Sequence, residues 1–349
     1  MADLWSAQPG RRADDGRSLM ADRPGKAAAA RFADLIRPRL SVPLIAAPMF
    51  RVSGPDLVIA ACKAGVIGAF PTANCRSDTE FAEWLQRIAG ALGPGDAPFC
   101  PNLIIRRETL RQDVAAVIRQ GCEMVITSVG PPDAVVPPLR EAGCMVFADV
   151  ASIRHAKKAI AAGVDGLILL TAGAGGQTGW VNGFAFVRAV RAFWDGPVVL
   201  AGGVSDGEAV LAAEVLGCDL SYMGTKFIAT EESMAEADYK AMLVSSELDD
   251  ILLSRAFTGL ETNTLIPSII AAGLDPKNLP TDMTKERADA LYGRMGSSGV
   301  KRWRDTWSAG HSVSGVDAIE PVATLVARTR DQYRAARERA VRRFGQDEV

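Results

Sequence analysis

Two glycine-bearing turns decide the fold of this chain. The apolar run Pro197–Ala201 ends in Ala201-Gly202-Gly203-Val204-Ser205-Asp206-Gly207. One helix-length later, the run Leu220–Met223 ends in Met223-Gly224-Thr225-Lys226-Phe227. Glycine lets the backbone approach an anion closely, and unpaired N–H groups at such a turn point at it. Phosphate sites built from two successive late βα turns belong to barrels. A doubly wound sheet would instead place its Gly-x-Gly fingerprint after the first strand. Here the first apolar run closes into Pro48-Met49-Phe50-Arg51, with no such fingerprint.

Working outward, the same unit repeats. Apolar runs occur at Val42–Met49, Val66–Phe70, Pro98–Ile105, Met124–Ser128, Met145–Val150 and Gly166–Leu170, ahead of the two already quoted. Amphipathic stretches such as Asp113–Gln120, His155–Ala162 and Glu208–Leu216 lie between them. The runs are apolar throughout instead of alternating, as strands buried on both faces are in a parallel sheet. Eight such units predict an α/β fold, a (β/α)8 TIM barrel, with a smaller, mainly helical subdomain inserted after the eighth strand.

The expected organisation is an N-terminal arm over 1–35, loosely ordered, then the barrel over 36–230. A helical subdomain over the barrel mouth, 231–308, is punctuated by Pro267, Pro276 and Pro280. A closing segment and C-terminal helix occupy 309–349, the helical pattern running over Val316–Phe344. The arginines of that helix suit a solvated helix end, where cations complement the dipole. A basic tail that binds acidic partners is the alternative.

Composition narrows the function classes. With 349 residues, 48% hydrophobic and 23% charged, the chain can bury a full core. A formal net charge of −2 gives no general drive toward nucleic acid or an anionic membrane. The six cysteines are spread singly, which predicts buried thiols in a cytoplasmic protein rather than a zinc knuckle or redox dithiol. No apolar stretch has transmembrane length. The first thirty residues mix Arg11, Arg12, Asp14, Asp15 and Arg17 before Ala27–Ala30, unlike a secretory signal. Metal-ligand spacing, a Gly-x-Ser-x-Gly elbow and a Walker loop are all missing from the sequence.

The site candidates follow from the strand ends. Gly202, Gly203, Gly224 and Thr225 form the candidate phosphate site, with Asp206 as a helix N-cap. Thr171-Ala172-Gly173-Ala174-Gly175-Gly176-Gln177-Thr178-Gly179-Trp180 packs four glycines into seven residues after the sixth strand. Such a loop suits close approach to a flat ligand. Asp149 and Ser128 end the fifth and fourth strands and point into the barrel mouth. Of the two histidines, His155 has the position of a surface or capping residue, and His311 is the one expected at the site.

These segments carry a family resemblance. Ala46-Ala47-Pro48-Met49, the Ala172–Gly179 loop, Gly202-Gly203 and Met223–Phe227 with Ala229-Thr230-Glu231-Glu232-Ser233 resemble the nitronate monooxygenase (2-nitropropane dioxygenase) family. The flavin-dependent enoyl-ACP reductases are similar relatives. The resemblance runs from about Val42 to Val326 and includes Ala256-Phe257-Thr258-Gly259 and Trp307-Ser308-Ala309-Gly310. It implies bound FMN. Pro48 and Met49 would lie along the isoalloxazine, and Asn102 would contact it. Gly175 and Gly176 would meet its ribityl or phosphate side, and Gly202, Gly203, Gly224 and Thr225 would hold the phosphate.

One departure matters. The family loop usually reads Gly-Gly-His, and that His is the proposed base for the substrate α-carbon; this chain has Gln177. An amide is not basic near neutral pH, whereas imidazole is poised there. Gln177 is therefore expected to hold a substrate oxygen, with His311 and Asp149 as the other catalytic candidates.

The expected activity is oxidation of a small nitronate, nitro or carbonyl-type substrate with oxygen as acceptor. An NAD(P)H-dependent reductase of an enone or enoyl thioester is the alternative. A non-redox lyase or isomerase would want a Lys or an acidic pair at the strand ends, where Asp149 stands alone. An inactive binding protein is the remaining class. Expected partners are the small-molecule substrate, oxygen or NAD(P)H and a second copy of the chain in a homodimer, with no nucleic acid and no membrane.

Overall fold

The computed structural model describes residues 23–345 apart from Arg294. Eight parallel strands close a barrel: β1 (Leu44–Ala46), β2 (Ile67–Pro71), β3 (Phe99–Ile104), β4 (Met124–Ser128), β5 (Met145–Val150), β6 (Gly166–Leu170), β8 (Val198–Ala201) and β9 (Leu220–Met223). Closure is made by β9 pairing with β1, Leu44 against Ser221 and Ala46 against Met223. Helices between the strands complete the (β/α)8 architecture. Four apolar runs coincide with strands residue for residue; the first shrinks to three residues because Pro48 and the turn after it leave the ladder.

Side chains inside the barrel alternate with those facing the helices. Ile45, Ile67, Cys100, Met124, Phe147 and Ile168 belong to one buried inner cluster. Its lower end is closed by the helix Lys26–Leu35, whose Phe32 is 3% exposed and lies 6.4 Å from the Phe147 ring. These residues, expected in a loose arm, form a helix because Ala27–Ala30 favour one and Phe32 and Ile36 fill the barrel floor. Residues 1–22 of that arm lie outside the described residues.

The segment 231–308 carries the helices Ala237–Val244, Ile266–Ala271 and Lys285–Tyr292. It also carries β10 (Ile251–Ser254) and β11 (Thr262–Leu265), which the sequence reading did not anticipate. These two strands pair antiparallel and continue onto β7 (Gly176–Gln177), so the glycine loop after β6 is the edge of a three-stranded sheet. The segment has an apolar cluster of its own around Phe257, Ile269 and Tyr292.

The C-terminal helix begins at Val322, six residues later than the helical pattern, since Pro321 disfavours helix before it. It packs so tightly on the helix Gly207–Leu216 that a Cβ at Gly207 would lie 2.1 Å from the Tyr333 backbone nitrogen. Arg328 bonds Asp317 and Glu320, and Arg339 bonds Glu208, so these cations serve the fold's own carboxylates. All six cysteines are free and buried, and burial pushes the thiols of Cys62, Cys75, Cys144 and Cys218 up to about 12. Among the described residues, no helix is long and apolar enough to cross a membrane, and no group of three or more His, Cys, Asp or Glu could hold a metal.

Candidate active site at the barrel mouth

The inner face of each strand carries its last side chain to the barrel mouth. One alternation above Cys100, Ile126, Phe147 and Leu220 stand Asn102, Ser128, Asp149 and Tyr222. The apolar interior thus ends in a polar upper layer. The Ser128 hydroxyl donates to Asn102 Oδ1 at 2.9 Å, which fixes the amide and leaves its NH2 for another acceptor. Asp149 has no such arrangement. Its Oδ1 is buried without a hydrogen-bond partner, and burial raises its carboxyl to about 7.

The turn after β1 is held by a residue that the sequence reading missed. Asn74 accepts the Arg51 N–H at 2.8 Å and donates to the carbonyls of Met49 (3.0 Å) and Ser53 (2.8 Å). The Met49 N–H donates to Ser53 Oγ. Both Met49 backbone groups are therefore engaged, and the Pro48 carbonyl is the free polar group of the pair among the described residues. Arg51 itself is held at φ 64, a left-handed conformation uncommon outside glycine.

The glycines divide into two classes. A Cβ at Gly202 would stand 2.4 Å from Thr171 Oγ1, and one at Gly175 would stand 2.7 Å from the Gly310 nitrogen. Those two positions are glycine because protein packs against them. Gly203 differs: its φ is +76 and a Cβ there would meet nothing within 4 Å. Gly224 is also loosely surrounded, with Met49 Sδ the nearest atom at 3.5 Å. The N–H groups of Gly203 and Gly224 have no acceptor among the described residues. Thr225 Oγ1 accepts from the Gly310 N–H at 2.9 Å, which leaves the hydroxyl proton to donate. Open space, two unpaired N–H groups and a hydroxyl are what a phosphoryl group requires.

The loop after β6 is clamped from the far side of the chain. Asn263 on β11, 1% exposed, donates to the carbonyls of Ala172 (2.9 Å) and Ala174 (2.7 Å). The His311 N–H donates to Gly173 O at 3.0 Å. The His311 imidazole lies beside Gly173, which in turn abuts Gly203, so this histidine stands on the phosphate side of the loop. Gln177 is exposed on β7 opposite Thr262, well beyond that point. Its neighbour Gly176, at φ +71, faces the Trp303 ring, and Trp303 is itself left-handed at φ 63. Trp180 is 74% exposed. His155 is exposed on its helix, where Ser152 caps its N–H.

The residues brought together are thus Gly203, Gly224, Thr225 and His311 on one side, and Asn102, Ser128 and Asp149 in the polar upper layer of the barrel. Gln177 stands on the rim. A planar cofactor with one terminal phosphate fits this arrangement: the phosphate in the open cradle, the ring across the polar layer.

Known proteins bear on this geometry. The chain is 28% identical over 228 residues to a (3aS,4S,5R,7aS)-5-hydroxy-7a-methyl-1-oxo-octahydro-1H-indene-4-carboxyl-CoA dehydrogenase of Rhodococcus jostii, covering 65% of this chain and 64% of that one. The chain therefore spans just under two thirds of that relative's length. It is 27% identical over 311 residues to a nitronate monooxygenase of Paraburkholderia phytofirmans, covering 74% of this chain and 81% of the relative. In three dimensions it resembles FabK from Thermotoga maritima with a TM-score of 0.74 at 25% identity, over 89% of this chain and 97% of the other. The nitronate monooxygenase family model matches residues 104–330, from the end of β3 through the phosphate turns and into the C-terminal helix. The chain belongs to the nitronate monooxygenase family.

Proposed function

We propose that the chain is an FMN-dependent oxidoreductase that oxidises a nitronate or a related carbonyl-type substrate, with oxygen as the acceptor. The observation that carries this reading is the open cradle at Gly203 and Gly224 beside the polar upper layer of the barrel, in a chain of this family. A single phosphate site, with no second fingerprint for an adenylate, favours FMN over FAD. When bound, the flavin supplies the two-electron chemistry.

The chain's own residues position and polarise. The Gly203 and Gly224 N–H groups and the Thr225 hydroxyl hold the phosphate. The Asn102 amide, fixed by Ser128, and the Pro48 carbonyl orient the polar edge of the ring. Gln177 and Trp303 face the substrate side, with Gly176 leaving room between them. Gln177 holds a substrate oxygen through its amide but removes no proton from carbon. The substrate therefore arrives as a preformed anion, or with its α-carbon already acidified by a carbonyl. The Rhodococcus jostii relative, named as a carboxyl-CoA dehydrogenase, favours a second reading in which the carbonyl belongs to an acyl thioester and the electron partner is NAD(P)H. Six buried free thiols accord with the reducing cytoplasm.

The test is direct. Cofactor released from the purified protein and identified by chromatography should be FMN at one per chain; FAD, or no flavin after reconstitution, overturns the reading. Anaerobic bleaching of the flavin by nitronates, enoyl thioesters, NADH and NADPH then separates the two substrate classes.

A further inference from the structure

The carboxyl of Asp149 has no role in the positioning just described. It occupies the inward register of β5, one alternation above Phe147 and paired across the ladder with Ile168, so it rises from the barrel wall into the polar upper layer. Its Oδ1 is sealed from water and accepts no hydrogen bond. A carboxyl oxygen buried with an empty hydrogen-bonding position is expensive unless something arrives to fill it.

What faces it is neutral. From β9 comes the Tyr222 phenol and from β3 the Cys100 thiol, both held protonated by burial. The Ser128 hydroxyl is spent on Asn102 Oδ1, and the Asn102 amide carries no charge. No cation contributes to its ionisation, and burial alone sets it. The cradle at Gly203 and Gly224 and the turn at Pro48 lie at strand ends, above the level of Asp149. A ring held between them would lie on the mouth side of Asp149, while Gln177 and Trp303 stand farther out on the rim.

We propose that Asp149 is a flavin-contacting acid: in its neutral form it donates a hydrogen bond to the isoalloxazine from the barrel side and thereby couples flavin binding to pH. The proposal rests on the flavin reading above. Its carboxyl, already raised to about 7 without the ring, is pushed higher when the ring covers it and accepts its proton in a hydrogen bond. Ionisation removes that bond and sets a negative charge against the ring's acceptor edge.

The test uses the flavin-loaded full chain and its Asp149→Asn variant, which keeps the shape and a donor but cannot ionise. The visible absorption of the bound flavin is titrated between pH 5.5 and 9.5, and the FMN dissociation constant is measured across the same range. The wild type should show one spectral transition at or above about pH 7, with affinity falling on the order of tenfold across it, as one lost hydrogen bond implies. The Asn variant should hold FMN with the wild type's acid-limit affinity and show neither change. Tyr222→Phe should keep the transition. A pH-independent wild-type spectrum overturns the proposal, and so does a transition that survives in Asp149→Asn, which would assign it to another group such as His311. If the Asn variant does not load, Asp149→Ala is read by the same criterion. Failure of the wild type to bind flavin at any pH refutes the flavin reading itself, a result distinct from a flavin that binds but does not sense pH.

Discussion

Substituting Gly203 separates the phosphate cradle from the fold that carries it. A methyl group there meets no atom within 4 Å, so Gly203→Ala suffers only from its left-handed backbone at φ +76. That strain is about 1–2 kcal/mol, roughly 1–3 °C in Tm for a chain of this size. Next door, Gly202→Ala forces a Cβ to within 2.4 Å of Thr171 Oγ1 and 2.6 Å of the Ala174 nitrogen, which the loop cannot absorb. Gly203→Asp adds a carboxylate pointing into the cradle. At about 5 Å from a phosphoryl charge and an effective dielectric of 20, repulsion is about 3 kcal/mol per pair of unit charges, more than a 100-fold loss in affinity. The assay strips the flavin, follows the melting of the apo-protein, and titrates FMN by fluorescence quenching. Gly203→Asp should melt within a few degrees of the wild type yet bind FMN at least 100-fold more weakly, while Gly202→Ala should melt far lower. Unchanged FMN affinity in a folded Gly203→Asp protein refutes the phosphate assignment.

Gln177→His restores a base to the rim, so the gap between neutral nitroalkanes and their nitronates should narrow by about 100-fold in anaerobic flavin reduction; equal rates on both forms in the wild type would show that a base already exists. Asn263→Ala leaves the Ala172 and Ala174 carbonyls without their donor, at about 2–3 kcal/mol. Both Tm and FMN affinity should fall together, and a drop in Tm alone would mean that the β6 loop does not need this clamp to receive the cofactor. Phe32→Ala empties the barrel floor, at about 3–4 kcal/mol, without touching the mouth. Denaturant unfolding should register the full loss while the FMN dissociation constant stays put; an undiminished midpoint would mean that the helix Lys26–Leu35 does not seal the barrel.

The barrel was legible because each buried strand is an uninterrupted apolar run closed by a turn. Met124–Ser128 and Leu220–Met223 needed no tertiary information to be bounded. The added sheet was not legible. Gly176–Gln177 is too short to show a period, and Thr262–Leu265 is a polar strand whose burial comes from partners rather than from its own composition. The site divides the same way. Gly203 and Gly224 advertise themselves as glycines in late βα turns, whereas Gly175 looked equally ligand-facing and instead packs on Gly310. Asn74 and Asn263 escaped notice because an amide that braces a loop has carbonyl partners set by folding. Those of Asn263 lie 91 and 89 residues away. His311 was anticipated at the site, but which side of the loop it occupies depends on its backbone bond to Gly173.

The interlocking of Gly173–Gly175 with Ala309–His311 has a consequence for the order of assembly. All eight barrel strands have been synthesised once Met223 is made. The Thr225 hydroxyl meets the Gly310 N–H at a sequence separation of 85, and Gly173 waits longer still for His311. A nascent chain that ends before residue 309 can thus contain every barrel strand and still lack one wall of the cradle. Such late, long-range contacts close slowly, because the loop entropy must be overcome before the contact rewards it. On the proposed flavin reading, cofactor capture therefore comes late in folding and requires the chain to have been made through His311.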